Sequence, residues 1–219
     1  MSGMNWVLGI ESSTTVCRVA LCRGQVVVSE EACSVQGEHS AHILPMIQRL
    51  MLAQNLAGSS LDAIAFGRGP GAFTGLRLAL SVAKGLAYGW DCPLIAVSSL
   101  AAMAYRLRLD KLMQKKKLPI WVVQDARMGQ VYAGFYTLEN GVLRALLPDD
   151  LYDPEVVVLP SGFDEWWVVG SGYGMYRSHW DAFVPICHHQ ADSDHPYASD
   201  IACLAASHQG EIVSVDNLA

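Results

Sequence analysis

The chemistry this chain could carry is concentrated in a few short stretches. One is Gly67-Arg68-Gly69-Pro70-Gly71-Ala72-Phe73-Thr74-Gly75, where an apolar run gives way to a glycine-rich loop. Such glycines let the backbone turn tightly and approach a ligand. Thr74 is placed to cap the following helix, whose free N–H groups and dipole favour an anion. A phosphate or nucleotide would then meet Gly69, Gly71, Thr74 and Gly75, together with Ser12 from the polar turn Glu11-Ser12-Ser13-Thr14-Thr15. No Gly-Lys-Ser/Thr follows, so the loop is not a P-loop. The same glycines serve equally well in a strand-to-helix turn that packs closely, and both readings stand at this point. His39 and His42 are three residues apart at a helix start and could share a metal if a third ligand existed. Glu38 faces elsewhere on a helix, so capping and surface roles are the simpler reading. His188 and His189 are adjacent and would point to opposite faces of a strand, which makes a poor chelate. Asp125 and Arg127 alternate at a strand end, share a face, and read first as an ion pair bracing a hairpin. Gly170-Ser171-Gly172-Tyr173-Gly174 is the one candidate for an adenosine loop.

The elements that must hold these residues follow from periodicity. Trp6–Ile10 reads as a buried strand, Val16–Leu21 as a second, and Gln25–Ser29 as a third after the Arg23-Gly24 turn. Ile43, Ile47, Leu50 and Met51 recur at helical spacing over 40–54, with Pro45 near the opening turn. Ala63–Phe66 is a strand, a helix starts at Thr74, Leu94–Val97 is a strand, and Ser99–Leu107 a helix. The order β-β-β-α-β-α-β-α is that of a ribonuclease H-like lobe. The second half echoes it, with strands at Ile120–Gln124, Val131–Tyr136, Val142–Leu146 and Trp166–Val169 and a helix at Tyr197–Ala206. The expectation is an α/β chain with the actin-like ATPase architecture: one lobe over 1–107, a shorter one over 108–219, and a cleft between them.

The helix after the glycine loop is apolar nearly all round. Only Arg77, Ser81, Lys84 and Tyr88 form a polar stripe, and Ala79, Ala83 and Ala87 make a row of small residues. Such a row permits close approach, either within the lobe or by a helix of another molecule. The interface reading assigns Ile43, Ile47, Leu50, Ala79, Ala83 and Leu86 to a partner surface.

Composition narrows the function. Hydrophobic residues make up 52% and charged residues 16% of the chain, so it buries most of itself or hides surface in a partner. A net charge of −6 argues against free attraction to nucleic acid. The run Lys115-Lys116-Lys117 reads as a solvated loop. No stretch approaches the ~20 apolar residues of a membrane span, and Met1 to Glu11 lacks the basic start of a signal peptide. The six cysteines, at 17, 22, 33, 92, 187 and 203, form no C-x-x-C and read as reduced thiols of a cytoplasmic protein.

Three motifs carry a resemblance over nearly the whole chain: His39-Ser40-Ala41-His42-Ile43-Leu44-Pro45, Phe66-Gly67-Arg68-Gly69-Pro70-Gly71-Ala72-Phe73-Thr74-Gly75-Leu76-Arg77, and Asp125-Ala126-Arg127-Met128-Gly129-Gln130-Val131-Tyr132. With the opening Gly9-Ile10-Glu11-Ser12-Ser13 they resemble the TsaB (YeaZ) family, a paralogue of the transferase TsaD. The resemblance implies an actin-like fold and a complex with TsaD and the small ATPase TsaE, which puts threonylcarbamoyl on the tRNA adenosine next to the anticodon. It implies pairing through the helices near 40–54 and 74–88, with a homodimer as the counterpart in isolation and tRNA met only through the complex. Where TsaD reads Val-Asn-His-Leu-Glu-Ala-His and holds its metal with the two histidines, this chain reads Val97-Ser98-Ser99-Leu100-Ala101-Ala102-Met103. Ser99 and Met103 replace both histidines and are poor ligands for a hard or borderline divalent ion. No catalytic residue, metal or cofactor of its own is therefore expected, and ATP or ADP only weakly or within the complex. The alternatives are an independent actin-like ATPase or kinase, against which Glu11 stands where those enzymes use Asp, and a glycoprotease-like metallopeptidase, for which no His-Glu-x-x-His exists.

Overall fold

The structure is a computed structural model that describes residues 4–34, 39–109, 117–180, 187–189 and 194–214. Glu38, Lys115 and Lys116, singled out above, lie outside the described residues. The chain divides into two compact units, Met1–Ala102 with Pro196–Ala219, and Met103–His195.

The first unit starts with β1 (Trp6–Glu11), β2 (Cys17–Arg23) and β3 (Val26–Cys33), joined as an antiparallel meander. Then come α1 (His39–Ala53), β4 (Ala63–Gly67), α2 (Phe73–Trp90), β5 (Leu94–Val97) and α3 (Ser99–Arg106), β4 and β5 lying parallel to β1. Side chains alternate across a strand, and both faces of this sheet are apolar. Leu8, Ile10, Val19, Leu21, Ile64, Phe66 and Leu94 meet Ile43, Ile47 and Leu50 of α1 and Ala79, Ala83 and Ala87 of α2 in one core. On the other face Gly9 lies against α5 (Ala198–Ala206): a Cβ there would sit 2.2 Å from the Ala198 carbonyl oxygen. The Cys203 thiol of α5 lies 3.7 Å from that of Cys22 on β2. Every residue of α5 is buried.

The second unit repeats the plan. β6 (Leu118–Arg127), β7 (Gln130–Glu139) and β8 (Val142–Tyr152) form an antiparallel meander, and β9 (Trp166–Val169) and β10 (Cys187–His189) add in parallel beside β6. Between the last two runs α4 (Gly172–Trp180). The short β11 (Glu211–Val213) pairs antiparallel with β5 of the first unit. The sheet orders are β11-β5-β4-β1-β2-β3 and β10-β9-β6-β7-β8, so the two ribonuclease H-like sheets expected from sequence are both present.

Four readings need correction. The second lobe does not run to 219: α5 and β11 return to the first unit, because the near-continuous apolar runs of β1 and β4 leave a second sheet face that α1 and α2 cannot cover. Ile43, Ile47, Leu50, Ala79 and Ala83 are not partner surface; each is 4% exposed or less, and only Leu86 is half-buried. Small residues were needed for helix-on-sheet contact rather than helix-on-helix. Pro45 lies well inside α1, where the Ala41 carbonyl it cannot bond is on an exposed residue. The sequence Gly170–Gly174 leads into α4, whose Tyr173 and Trp180 pack on Trp121 in an aromatic core that overrides two glycines of low helix propensity. Cys17, Cys22, Cys33, Cys92 and Cys203 are free, and all of these but Cys33 are buried. Among the described residues no helix is long and apolar enough to cross a membrane.

Ala83 sits at 0% exposure against the sheet. Ala83→Glu should therefore unfold the first unit, since an unpaired buried charge costs several kcal/mol. Circular dichroism melts check this: loss of the cooperative transition is expected, and a folded variant with an unchanged melting temperature would place Ala83 on the surface.

Candidate functional site

The site begins where β1 ends. Glu11 is completely buried. Its Oε1 accepts the Ser13 N–H at 2.6 Å and its Oε2 accepts the Ser99 hydroxyl at 2.8 Å. Burial pushes its carboxyl above the ordinary value of 4.5, opposed by the hydrogen bonds from Ser13, Ser99 and Ser12. Gly67 at the end of β4 packs directly on it: a Cβ there would lie 2.0 Å from Oε2. The turn after Glu11 is gripped by the glycine loop. The Ser12 hydroxyl donates to the Gly75 carbonyl at 2.7 Å, and the Ser13 carbonyl accepts the Ala72 N–H at 2.8 Å. A Cβ on Gly75 would lie 1.8 Å from the Ser12 carbonyl oxygen, and one on Gly71 2.6 Å from the Ser13 Cβ.

The structure thus brings Ser12, Gly71 and Gly75 together, and it brings them together on each other. The Cβ-less faces of Gly71 and Gly75 are filled by Ser13 and Ser12. Gly69 donates no side chain but its carbonyl accepts the Ser99 N–H at 2.9 Å. Thr74 is exposed one residue into α2 and does not cap it; the N-cap is Ala72, without a side-chain hydrogen bond. The geometry is that of a closely packed turn, and the glycines are required for it.

Ser99 and Met103, one helical turn apart on α3, are 1% exposed each. Ser99 is committed to Glu11, and the Met103 sulfur accepts from Gln124 Nε2 at 3.5 Å. Ser98 caps α3 by accepting the Ala101 N–H at 3.1 Å. Among the described residues no three His, Cys, Asp or Glu side chains come together as a metal-holding group. His39 Nε2 lies 3.1 Å from the Thr15 carbonyl oxygen, consistent with a local tie, and His188 stacks on Trp167 at 4.6 Å between ring centroids.

In the second unit the donors of Gly170 and Ser171, in the turn from β9 into α4, are occupied. Gly170 N–H donates to Asp194 Oδ1 at 2.9 Å, and the Ser171 N–H and hydroxyl donate to Gln124 Oε1 at 2.9 and 2.6 Å. Gly170 is held at φ 108° with its Cα against the Val123 carbonyl, a position no other residue fits. Asp125 does not engage Arg127 through the guanidinium. Its Oδ1 accepts the Arg127 N–H at 2.9 Å and the Tyr176 hydroxyl at 3.3 Å, so it braces the hairpin backbone. Sequence reasoning missed Glu11 and the Gln124–Ser171 pair as organising groups. The available signal was an acid closing an apolar strand, which required some partner for a buried carboxyl.

A family model described as TsaD, tRNA N6-adenosine threonylcarbamoyltransferase, matches residues 31–168. The chain is 35% identical over 171 residues to the tRNA threonylcarbamoyladenosine biosynthesis protein TsaB of Escherichia coli (strain K12), covering 76% of this chain and 71% of that protein. It is similar to the structure of YeaZ from Pseudomonas aeruginosa, with a TM-score of 0.83, 33% identity, and coverage of 98% and 97%. An inorganic polyphosphate/ATP-glucomannokinase from Arthrobacter sp. strain KM shares the fold alone, with a TM-score of 0.51, 8% identity, and coverage of 94% and 99%. With two sheets of matching order, the fold is that of the actin-like ATPases.

Two outcomes follow from the Glu11 junction. Folding favours the protonated carboxyl, so its contribution is fully present below 4.5 and is lost as pH rises through the raised value. Glu11→Gln cannot titrate; its amide oxygen still accepts the Ser13 N–H, and its NH2 donates to the Ser99 hydroxyl oxygen in place of the bond Ser99 donates now. Its melting temperature relative to the parent should rise as pH is raised above 4.5; a difference constant across pH 4 to 8, on the order of the melt's own scatter, would contradict this. Gly75→Ala should lower the melting temperature by several degrees, because its Cβ meets backbone rather than a side chain that can move.

Proposed function

The chain belongs to the TsaB family of tRNA threonylcarbamoyladenosine biosynthesis proteins, and on that premise we propose that it is a non-catalytic cytoplasmic subunit that binds and stabilises a TsaD-type transferase. The observation that carries the reading is the use made of Ser99 and Met103. At the two positions where the transferase family has metal-binding imidazoles, this chain has a hydroxyl spent on a buried carboxyl and a thioether spent on the part-buried side-chain amide of Gln124. Threonylcarbamoyl transfer then resides in the partner, with a TsaE-type ATPase as the third component, tRNA met through the assembly, and no metal or nucleotide required by this chain itself. The glycine loop packed on Ser12 and Ser13 supports the same reading over that of an independent kinase.

The partner surface follows from what α1 and α2 leave uncovered. Leu44 and Leu52 on α1 are 50% and 66% exposed, and Phe73 and Tyr88 on α2 are 64% and 78% exposed. Ser81, Gly85 and Gly89 recur every fourth residue on the exposed side of α2, and a Cβ on either glycine would meet open space. A mid-helix glycine costs about 1 kcal/mol relative to alanine, and nothing among the described residues of the first unit requires either one. A helix laid close across this stripe does require them, and the same face would serve a second copy of this chain where the transferase is absent.

Reconstitution with the purified transferase, ATPase and tRNA tests the role. Modification should require this chain together with the transferase and be absent with this chain alone; modification by this chain alone would overturn the reading. Gly85→Leu tests the surface. It should raise the chain's melting temperature through helix propensity and weaken transferase binding at least about tenfold. Unchanged affinity, read by calorimetric titration, would remove the stripe from the interface.

A further inference from the structure

The hairpin between β6 and β7 is built expensively. Arg127, Met128 and Gly129 have φ of 65°, 54° and 81°, so two side-chain-bearing residues in succession adopt the left-handed region. Arg127 pairs with Gln130, which makes Met128 and Gly129 the central residues of a two-residue turn with positive φ at both. Such turns take Asn-Gly, Asp-Gly or Gly-Gly without strain, and a long unbranched side chain at the first position costs stability. Arg127 sits where the register slips after Asp125, another position suited to glycine.

Neither side chain is held there by packing. Met128 is 99% exposed and Arg127 is exposed. The conformation is enforced instead from behind. Asp125 Oδ1 accepts the Arg127 N–H, the Tyr176 hydroxyl donates to that same oxygen, and the Ser171 hydroxyl oxygen lies 3.4 Å from the Asp125 nitrogen. Tyr176 itself departs from helical geometry inside α4, at φ −113° and ψ 15°. Backbone strain at two residues, bracing by three side chains, and two long side chains standing in solvent together describe an element whose contacts lie outside the chain.

We infer that the Arg127–Met128 tip is a contact element for a protein partner presenting a carboxylate beside an apolar socket. The inference rests on the proposed role as an assembly subunit. A guanidinium offers a planar fork of donors suited to a carboxylate, and a thioether fills irregular apolar sockets. Nucleic acid fits less well: a phosphate backbone is bound by several clustered cations, whereas this tip offers one guanidinium on a chain of net charge −6.

The test separates strain from function. Arg127→Gly and Met128→Asn are made in the full chain, melted, and titrated against the purified TsaD-type transferase, alone and with the purified TsaE-type ATPase present. Each variant should melt at or above the parent's temperature, and in at least one titration bind about tenfold more weakly. A lower melting temperature overturns the proposal, because the side chains would then be serving the fold. So do affinities within about twofold of the parent's in both titrations, or a loss confined to a parallel titration with tRNA. A parent chain that binds neither protein overturns the assembly role itself, and this proposal with it; that failure is recognised because it appears before any substitution is made.

Discussion

A carboxyl group without access to water fixes the first unit. Glu11 ends the central strand at 0% exposure, and a buried carboxyl must find hydrogen-bond partners or cost several kcal/mol. Its partners come from two directions, the Ser13 N–H of its own turn and the Ser99 hydroxyl at the head of α3. Those bonds require β4 to pass at glycine distance, which is why Gly67 stands where any Cβ would enter the carboxyl. With β4 so placed, the loop leaving it runs over the Ser12–Ser13 turn, and Gly71 and Gly75 are required in their turn. The end of β1, the end of β4 and the start of α3 all meet at this one group.

The same junction bears on chemistry. In an actin-like fold a polar turn after the first strand and a glycine loop beside it are places where a phosphate could be cradled. Here the turn and loop are closed on each other through Ser12, Gly75, Ser13 and Ala72. The second unit shows the same habit, since Asp194 and Gln124 take the N–H groups of Gly170 and Ser171. In both units these polar groups are spent on internal contacts, an arrangement that fits the proposed subunit role.

The fold was legible where the signal is local. Alternation and helical spacing located the strands and helices of the first unit, because each element's burial pattern is written in its own residues. What failed was the assignment of faces and distant partners. A helix apolar on most sides, as α2 is, does not say which side meets the sheet; the row Ala79, Ala83 and Ala87 suits either neighbour, and only burial distinguishes them. The placement of α5 was equally out of reach. It packs on strands roughly 180 residues earlier, a separation seen in the Cys22–Cys203 contact, and nothing local to Ala198–Ala206 names that partner. At the site, the motif residues were legible and their use was not: glycines for ligand approach and glycines for close packing have the same sequence.

Residues that break local rules divide by what surrounds them. Gly67, Gly71 and Gly75 are explained within the chain, because backbone or a buried side chain occupies the space a Cβ would need. Gly85 and Gly89 face open space in the middle of a helix, and Arg127 and Met128 hold left-handed backbone with exposed side chains. Natural sequences depart from local preference chiefly at functional positions, where the stability lost locally is recovered by other interactions. For the first group those interactions lie in the folded chain. For the second, Asp125 and Tyr176 hold the hairpin backbone, but among the described residues nothing packs on the Met128 side chain or on the open faces of Gly85 and Gly89, and these are the surfaces the proposed contacts with other molecules would use.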